Sequence, residues 1–535
     1  MKKEKEEVFV LEMPLQVERY QADILNKRYE QLRQLYNYVQ GKLLKQYRYF
    51  EQMDEYRACK TFADKKTFFK AHPFYINGVL AKNGDLLAIK FEENSIQGYV
   101  EKLAQKQVGA GVKYADMGIT TCVLSGLSAS IWSAWDKKLY DVRAKHISFK
   151  KYGELNSFSS RKKVTNGKVY FSGMELYLDS MELAVKLNSK TGQQAKFVKM
   201  PILHNPQHAD YEMYALKGGL DSIKVVKVVR RLVRGQYKYY LQLSIGGKAP
   251  AKGRELGKGK VGLDLGPSTI AVAAPNRVSI DKLASKCDSI QEQLTRLSRK
   301  MDRSRRASNP QNFNEDGTIK RGIRLVWSQS NRYKALKDEL TELHRRQAAV
   351  RRQQHIEMAN ALLKEGDTFI VENNPVKAWQ RKAKETTKDE KTGKIKKKKR
   401  FGKSIHNHAP ATFVTLLENK VKSLGGEFYS VDTRNAASRF DFTIGDTPEM
   451  DLGVRVKTLS NGDKHQRDMM SAFNLQHIDP KSKELKHYIV EDMNADYQRF
   501  CALEKEELDR YMRKEKKDDP STIGAFRYFK ESKRS

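Results

Sequence analysis

The stretch Val261-Gly-Leu-Asp-Leu-Gly-Pro-Ser-Thr-Ile-Ala-Val-Ala-Ala-Pro275 decides how the second half of this 535-residue chain is read. Side chains alternate across a strand, so Val261, Leu263 and Leu265 point one way and Gly262, Asp264 and Gly266 the other. One face is apolar core. The opposite face offers a single carboxylate between two residues without side chains, and the reading takes that vacancy as room for hydrated cations and a phosphodiester. A plain turn aspartate ahead of Gly-Pro-Ser fits Asp264 as well, when it is taken alone.

Two further acids sit in comparable settings. Glu372 closes the apolar run Thr368-Phe-Ile-Val-Glu372. A carboxylate at the carboxyl end of a buried parallel-type strand lies where open α/β sheets place their sites, although a strand end that simply meets water is common. Asp468 precedes Met-Met-Ser-Ala-Phe-Asn-Leu475, where Ala472 and Leu475 continue its face at helical spacing. An N-cap aspartate accounts for it if it is considered alone. Together, Asp264, Glu372 and Asp468 supply hard oxygen ligands suited to Mg²⁺ or Mn²⁺.

Composition narrows the partners. Lys and Arg number 101 against 65 Asp and Glu, a formal net charge of +36. Such an excess repels itself in a compact body unless a polyanion offsets it. A basic solvated surface, as in a ribosomal protein, is the plainer reading; a nucleic-acid enzyme suits a chain of this length with folded segments. The start Met1-Lys-Lys-Glu-Lys-Glu-Glu lacks the apolar core of a signal peptide, and no stretch approaches the length of a membrane span. Cys59, Cys122, Cys287 and Cys501 form no C-x-x-C pair, which points to a reducing cytoplasm and away from disulfides or a cysteine zinc site.

Working outward, Leu25, Tyr29, Leu32, Tyr36, Val39, Leu43, Tyr47 and Phe50 recur at helical spacing, and the tyrosines are read as a core stripe, not as a base-stacking platform. From about Lys162 to Gly247 the period becomes two: Ile223 to Val233 and Tyr237 to Ile245 read as strands joined at Arg234-Gly235-Gln236, within a small β-barrel or sheet. The basic linker Gly246 to Lys260 is the best boundary. After it come strand–turn–strand, two long charged helices around a polar loop near Ser308 to Gly322, the Glu372 strand, the run Lys394 to Arg400, a helix over Ala411 to Leu424, a strand over Glu427 to Val431, and the Asp468 helix.

The segments GLDLGPSTIAVA, FIVENNPVKAW and QRDMMSAFNL resemble the three RuvC motifs of TnpB nucleases and the related type V CRISPR effectors. SIHNHAPATFVTLLENKVKSLGGEFYSVDTRNAAS, between the second and third, is also similar to TnpB. The match covers roughly Gly257 to Leu475; the first half resembles the family's wedge and recognition modules only loosely. The resemblance implies an α+β multidomain protein with an RNase H-like (RuvC) α/β nuclease domain and an N-terminal helical plus β-barrel lobe. It implies two Mg²⁺ (or Mn²⁺) ions held by Asp264, Glu372 and Asp468, guide RNA and target DNA as partners with no membrane, and a prokaryotic cytoplasmic, nucleoid-associated setting.

The implied layout is a first barrel strand over 1–15, a helical recognition region over 16–160, the rest of the barrel over 161–250, a nuclease domain over 251–480 with a helical insertion at 281–365, and a charged, partly helical tail over 481–535. At 432–467, where the family carries a zinc ribbon with two C-x-x-C pairs, this chain has Ala437, Phe440, Thr458 and Asn461. No thiolate is present, so no structural zinc is expected; packing around Phe440 or a loose loop takes its place. His406-Asn407-His408 spells HNH, but the next residues enter an ordinary helix. The lysine run reads as a charged insertion near nucleic acid.

The alternatives are an RNA-bound DNA-binding regulator or transposition accessory protein that does not cut, a Holliday-junction resolvase, and an actin/hexokinase-type ATPase. The ATPase would use Asp264 and Asp451-Leu452-Gly453 as phosphate loops. It lacks a Gly-rich adenosine loop and has no use for so large a positive charge.

Overall fold

In the computed structural model the described residues are 7–105, 119–141, 146–187, 196–250, 254–374, 376–381, 401–451, 454–482 and 484–514. The chain forms two compact units, Met1–Pro250 and Ala251–Ser535.

In the first unit, the helix Arg19–Phe50 buries the stripe expected of it, Leu25, Tyr29, Leu32, Tyr36, Val39, Leu43, Tyr47 and Phe50. The tyrosine rings pack edge-on inside this core: Tyr47 meets Trp135 at 5.4 Å and Tyr29 meets Phe158 at 5.1 Å between centroids. Gln236–Gly246 buries every second residue through Tyr239, Leu241, Leu243 and Ile245 and pairs antiparallel with both Val8–Leu15 and Ile223–Val233. Arg234 and Gly235 both take positive φ, as a two-residue turn matched to the strand twist requires. Ser157–Arg161 completes this four-stranded sheet. Met174–Tyr177, Glu182–Lys186 and Phe197–Pro201 make a separate three-stranded sheet, and the bridge between Leu15 and Ile202 links the two edges at one pair. The expected barrel is therefore seen as open sheets, and among the described residues no strand closes a ring.

The second unit is built on one mixed sheet in the order Arg277–Lys282, Thr269–Ala274, Lys260–Leu265, Thr368–Glu372, Glu427–Val431. The first three strands are antiparallel; the last two run parallel to the Asp264 strand. One face carries Val261, Leu263, Leu265, Phe369 and Val371 against the helices Asn331–Leu362 and Pro410–Ser423. The other carries Ala271, Ala273 and Ile370 against the helices Arg467–Gln476 and Val490–Lys514. The helix Cys287–Ser308 packs on Asn331–Leu362 through Ile290, Leu294 and Leu297, with the loop between them tied by Asn309 to the Ser328 backbone.

Two readings are corrected here. The space opposite Gly262 is not open to cations: a Cβ there would run into the Ala472 carbonyl oxygen and the Gln476 amide, so this glycine lets the Asp468 helix lie down on the sheet. Part of the supposed charged tail, Val490–Lys514, is a core helix that buries Met493, Tyr497 and Phe500.

Residues 432–467, without thiolates, are held by polar contacts around Phe440. Its ring stacks on Tyr488 at 3.8 Å, and Asn474 Nδ2 donates to the carbonyls of Ala437 (2.7 Å) and Phe440 (2.8 Å). Lys457 Nζ donates to the same Phe440 carbonyl. The buried Asp441 carboxylate accepts from backbone and hydroxyl of both Thr443 and Ser460. Burial alone would raise this carboxyl, but the four donors outweigh it and hold it below the ordinary value. Ala437 and Phe440 are buried, whereas Thr458 and Asn461 face water. The run at 394–400 lies outside the described residues, as do Leu452 and Gly453. Among the described residues no helix is long and apolar enough to cross a membrane.

Gly262→Ala is predicted to destabilise the second unit by roughly 1–3 kcal/mol, the usual cost of forcing a methyl into packed backbone. A denaturant titration followed by far-UV circular dichroism checks this, and an unchanged transition would contradict the close helix–sheet contact.

Candidate functional site

The sheet register explains how two of the acids meet. Gly262 pairs with Ile370 and Leu263 with Val371 on the parallel neighbour, so Asp264 and Glu372 stand one step beyond, on adjacent strands and on the same face. Ile370, on that face, packs in the core that includes Met469, Ala472 and Phe473 of the Asp468 helix. Because Gly262 admits that helix so closely, its first turn arrives over Asp264.

The helix is capped by Gln466, whose side chain accepts from the Met469 amide at 2.8 Å. Asp468 is therefore not the N-cap; it lies inside the first turn with its carboxylate committed elsewhere. Arg467 donates to Asp468 Oδ1 from Nε at 2.9 Å and from Nη2 at 2.7 Å, and Arg455 Nη1 stands 3.8 Å from Oδ2.

The electrostatics record the convergence. Burial first, then the negative charges of Asp468 and Glu372, push the Asp264 carboxyl up to about 7; a hydrogen bond from Ser471 and the charge of Arg467 oppose the rise. Burial also pushes Glu372 up to about 7, against a hydrogen bond from Asn374 and with help from the charge of Asp432. Asn374 in turn donates from Nδ2 to the Leu265 carbonyl at 3.3 Å, tying the ends of the two acid-bearing strands together.

The three sequence-predicted acids thus share one face and one field. They are not drawn into one coordination shell: among the described residues no three His, Cys, Asp or Glu side chains stand close enough to hold a metal ion. The donor set still fits hard divalent cations, since it offers only carboxylate oxygens whose mutual repulsion a cation would relieve.

Sequence reasoning missed Ser471, Arg455, Asn374 and Asp432. Ser471 was legible, being one helical turn after Asp468 on the same face. Asp432, just beyond the strand parallel to Glu372, was legible only from the register Glu372–Val431. The His406–His408 triplet is structural: His408 Nδ1 donates to the Leu283 carbonyl at 2.5 Å, and Arg351 donates to the His406 carbonyl at 2.7 Å.

Neither a protein-family model nor a curated protein matches the sequence. Among solved structures, the chain is similar to a Cas12f1–sgRNA–target DNA complex, with 14% identity and a TM-score of 0.46 over 89% of this chain and 100% of that one. A CRISPR-Cas12f ternary complex aligns at 14% identity and TM-score 0.29 over 86% and 82%. CasPhi-2 (Cas12j) bound to crRNA and phosphorothioate-DNA aligns at 11% and 0.27 over 92% of each chain. At TM-scores below 0.5 these likenesses carry no argument about the site.

The raised carboxyls fix a sign. Between the ordinary value of 3.8 and about 7, Asp264 keeps a proton in the folded chain that the unfolded chain has released, so stability falls as pH rises through this range. In chelator, Asp264→Asn is predicted to melt near the wild type at the acid end and several degrees above it at the alkaline end. A difference that does not grow with pH would contradict the shared field.

Proposed function

We propose that this chain is an RNA-guided DNA endonuclease of RNase H-like (RuvC) type that hydrolyses DNA beside a short flanking motif, with Asp264, Glu372 and Asp468 holding two Mg²⁺ or Mn²⁺ ions. The observation that carries it is the Asp468 helix seated on Gly262, which sets Asp468 beside Asp264 while the parallel register sets Glu372 on the same face. The five-stranded mixed sheet, with the first acid on its central strand, supports this reading.

Two divalent ions at such a site activate a water and stabilise the leaving 3′ oxygen. The chain's own residues divide the remaining work. Asp264, which feels the charges of both other acids, would be a ligand, and the Ser471 hydrogen bond would orient it. Asp468 would be the third ligand, and Arg467 and Arg455, which stand beside it, would be suited to holding phosphate oxygens of the DNA. The net charge of +36 supplies sequence-independent grip on RNA and DNA. The N-terminal unit, helices around open sheets, is read as the gripping lobe. Guide pairing as the source of sequence choice rests on the resemblance of the three motifs to type V effectors.

The Asp468–Arg467 ion pair favours a second reading, an RNA-bound DNA-binding regulator that does not cut. One experiment separates them: the protein is purified with its native RNA, the RNA is sequenced, and the complex is given Mg²⁺ and DNA matching the variable segment. The nuclease reading predicts a discrete RNA and cleavage that Asp264→Ala abolishes without loss of DNA affinity. Binding with no cleavage by the wild type supports the regulator, and cleavage that survives Asp264→Ala overturns the site.

A further inference from the structure

On the helix Val490–Lys514, Met493, Tyr497 and Phe500 form an apolar stripe, and the next position on that stripe is Glu504. It is 4% exposed, on a face where an apolar side chain would be the ordinary choice. Both carboxylate oxygens are used. Oε1 accepts from the Gln466 amide at 2.7 Å, and Oε2 lies 2.6 Å from His465 Nδ1. His465, equally buried, reaches Tyr497 Oη with Nε2 at 2.7 Å. Tyr497 donates in turn to Asp463 Oδ2 at 2.6 Å, so His465 bridges the Glu504 carboxylate and the Tyr497 hydroxyl through its two ring nitrogens. A buried Glu504–His465–Tyr497 chain of polar contacts results, closed at the far end by Asp463, which also accepts from Asn461.

Gln466 is the N-cap of the Asp468 helix, so Glu504 grips the backbone at the point from which that helix starts, two residues before Asp468. The same C-terminal helix holds the other end: His477 Nδ1 donates to the Phe473 carbonyl at 2.9 Å and Nε2 meets Asp496 Oδ2 at 3.1 Å. A buried polar pair adds little net stability over an apolar isostere, but leaving one partner buried without the other is costly, which suits a device that fixes geometry. We propose that Glu504 is a positioning residue for the candidate metal site, acting through the Gln466 amide and His465 to fix where Asp468 lies over Asp264. This inference rests on the metal-site reading above.

The full-length chain and its Glu504→Ala, Glu504→Gln and Asp264→Ala variants are titrated with Mn²⁺ by calorimetry, and cleavage is followed at rising Mn²⁺. Loss of an outer-shell partner typically weakens metal affinity about 10–100-fold, and Glu504→Ala is expected near the low end of that range. Glu504→Gln, which keeps size and an acceptor for the Gln466 amide, is expected to lose less and guards against failure to fold. Excess Mn²⁺ restores cleavage in both, and DNA affinity stays at the wild-type level, responses that general destabilisation would not give. Wild-type Mn²⁺ affinity in both Glu504 variants, with binding lost in Asp264→Ala, overturns this proposal alone. Absence of Asp264-dependent Mn²⁺ binding in the wild type overturns the metal-site reading, and this inference with it.

Discussion

A helix backbone resting where a side chain at position 262 would otherwise be is the contact on which the rest of the second unit depends. With any larger residue there, the helix Arg467–Gln476 stands off the sheet, Ala472 and Phe473 lose their bed on Ile370 and Ala273, and Asp468 moves away from Asp264. Packing and chemistry are therefore set by one absence of a methyl group. The apolar core beneath the helix supplies the driving force, and the convergence of acids above it is the cost. Burial, helped at Asp264 by the charges of Asp468 and Glu372 and at Glu372 by that of Asp432, holds two carboxyls near 7, a state that positive charge relieves.

Part of that relief comes from Arg467 and Arg455, which stand beside Asp468. The same guanidinium groups that balance the acids are of the kind that binds phosphate oxygens well, so under the proposed function they would be on hand for a DNA backbone if cations took over the carboxylates. The acids share a field, and among the described residues no trio of ligands is drawn tight.

The sequence carries the local facts well and the long-range ones poorly. Alternation through Val261–Leu265 and the stripe through Tyr29, Tyr36 and Tyr47 each follow from periodicity, and the structure shows them so. The meaning of Gly262 was not legible, because a glycine beside an acid looks the same whether it leaves room for a ligand or for a helix. Nor was the capping role of Gln466, since Asp468 is the commoner cap type and only its pull toward Arg467 takes it out of contention. Phe440 could be picked out as the anchor of the loop over 432–467, but the network of Asp441, Lys457 and Asn474 joins residues with no shared period. The core role of Val490–Lys514 was hidden by its charge, although Met493, Tyr497 and Phe500 carry the spacing of a buried face.

The account turns on whether Asp264, Glu372 and Asp468 accept a common cation. Crystals of the chain grown with Mn²⁺ and measured at the manganese absorption edge test this directly. Anomalous density bridging Asp264 and Asp468 is expected, with Glu372 in the same shell and Arg467 turned off Asp468. Density absent from this face, with Asp468 still paired to Arg467, would contradict it.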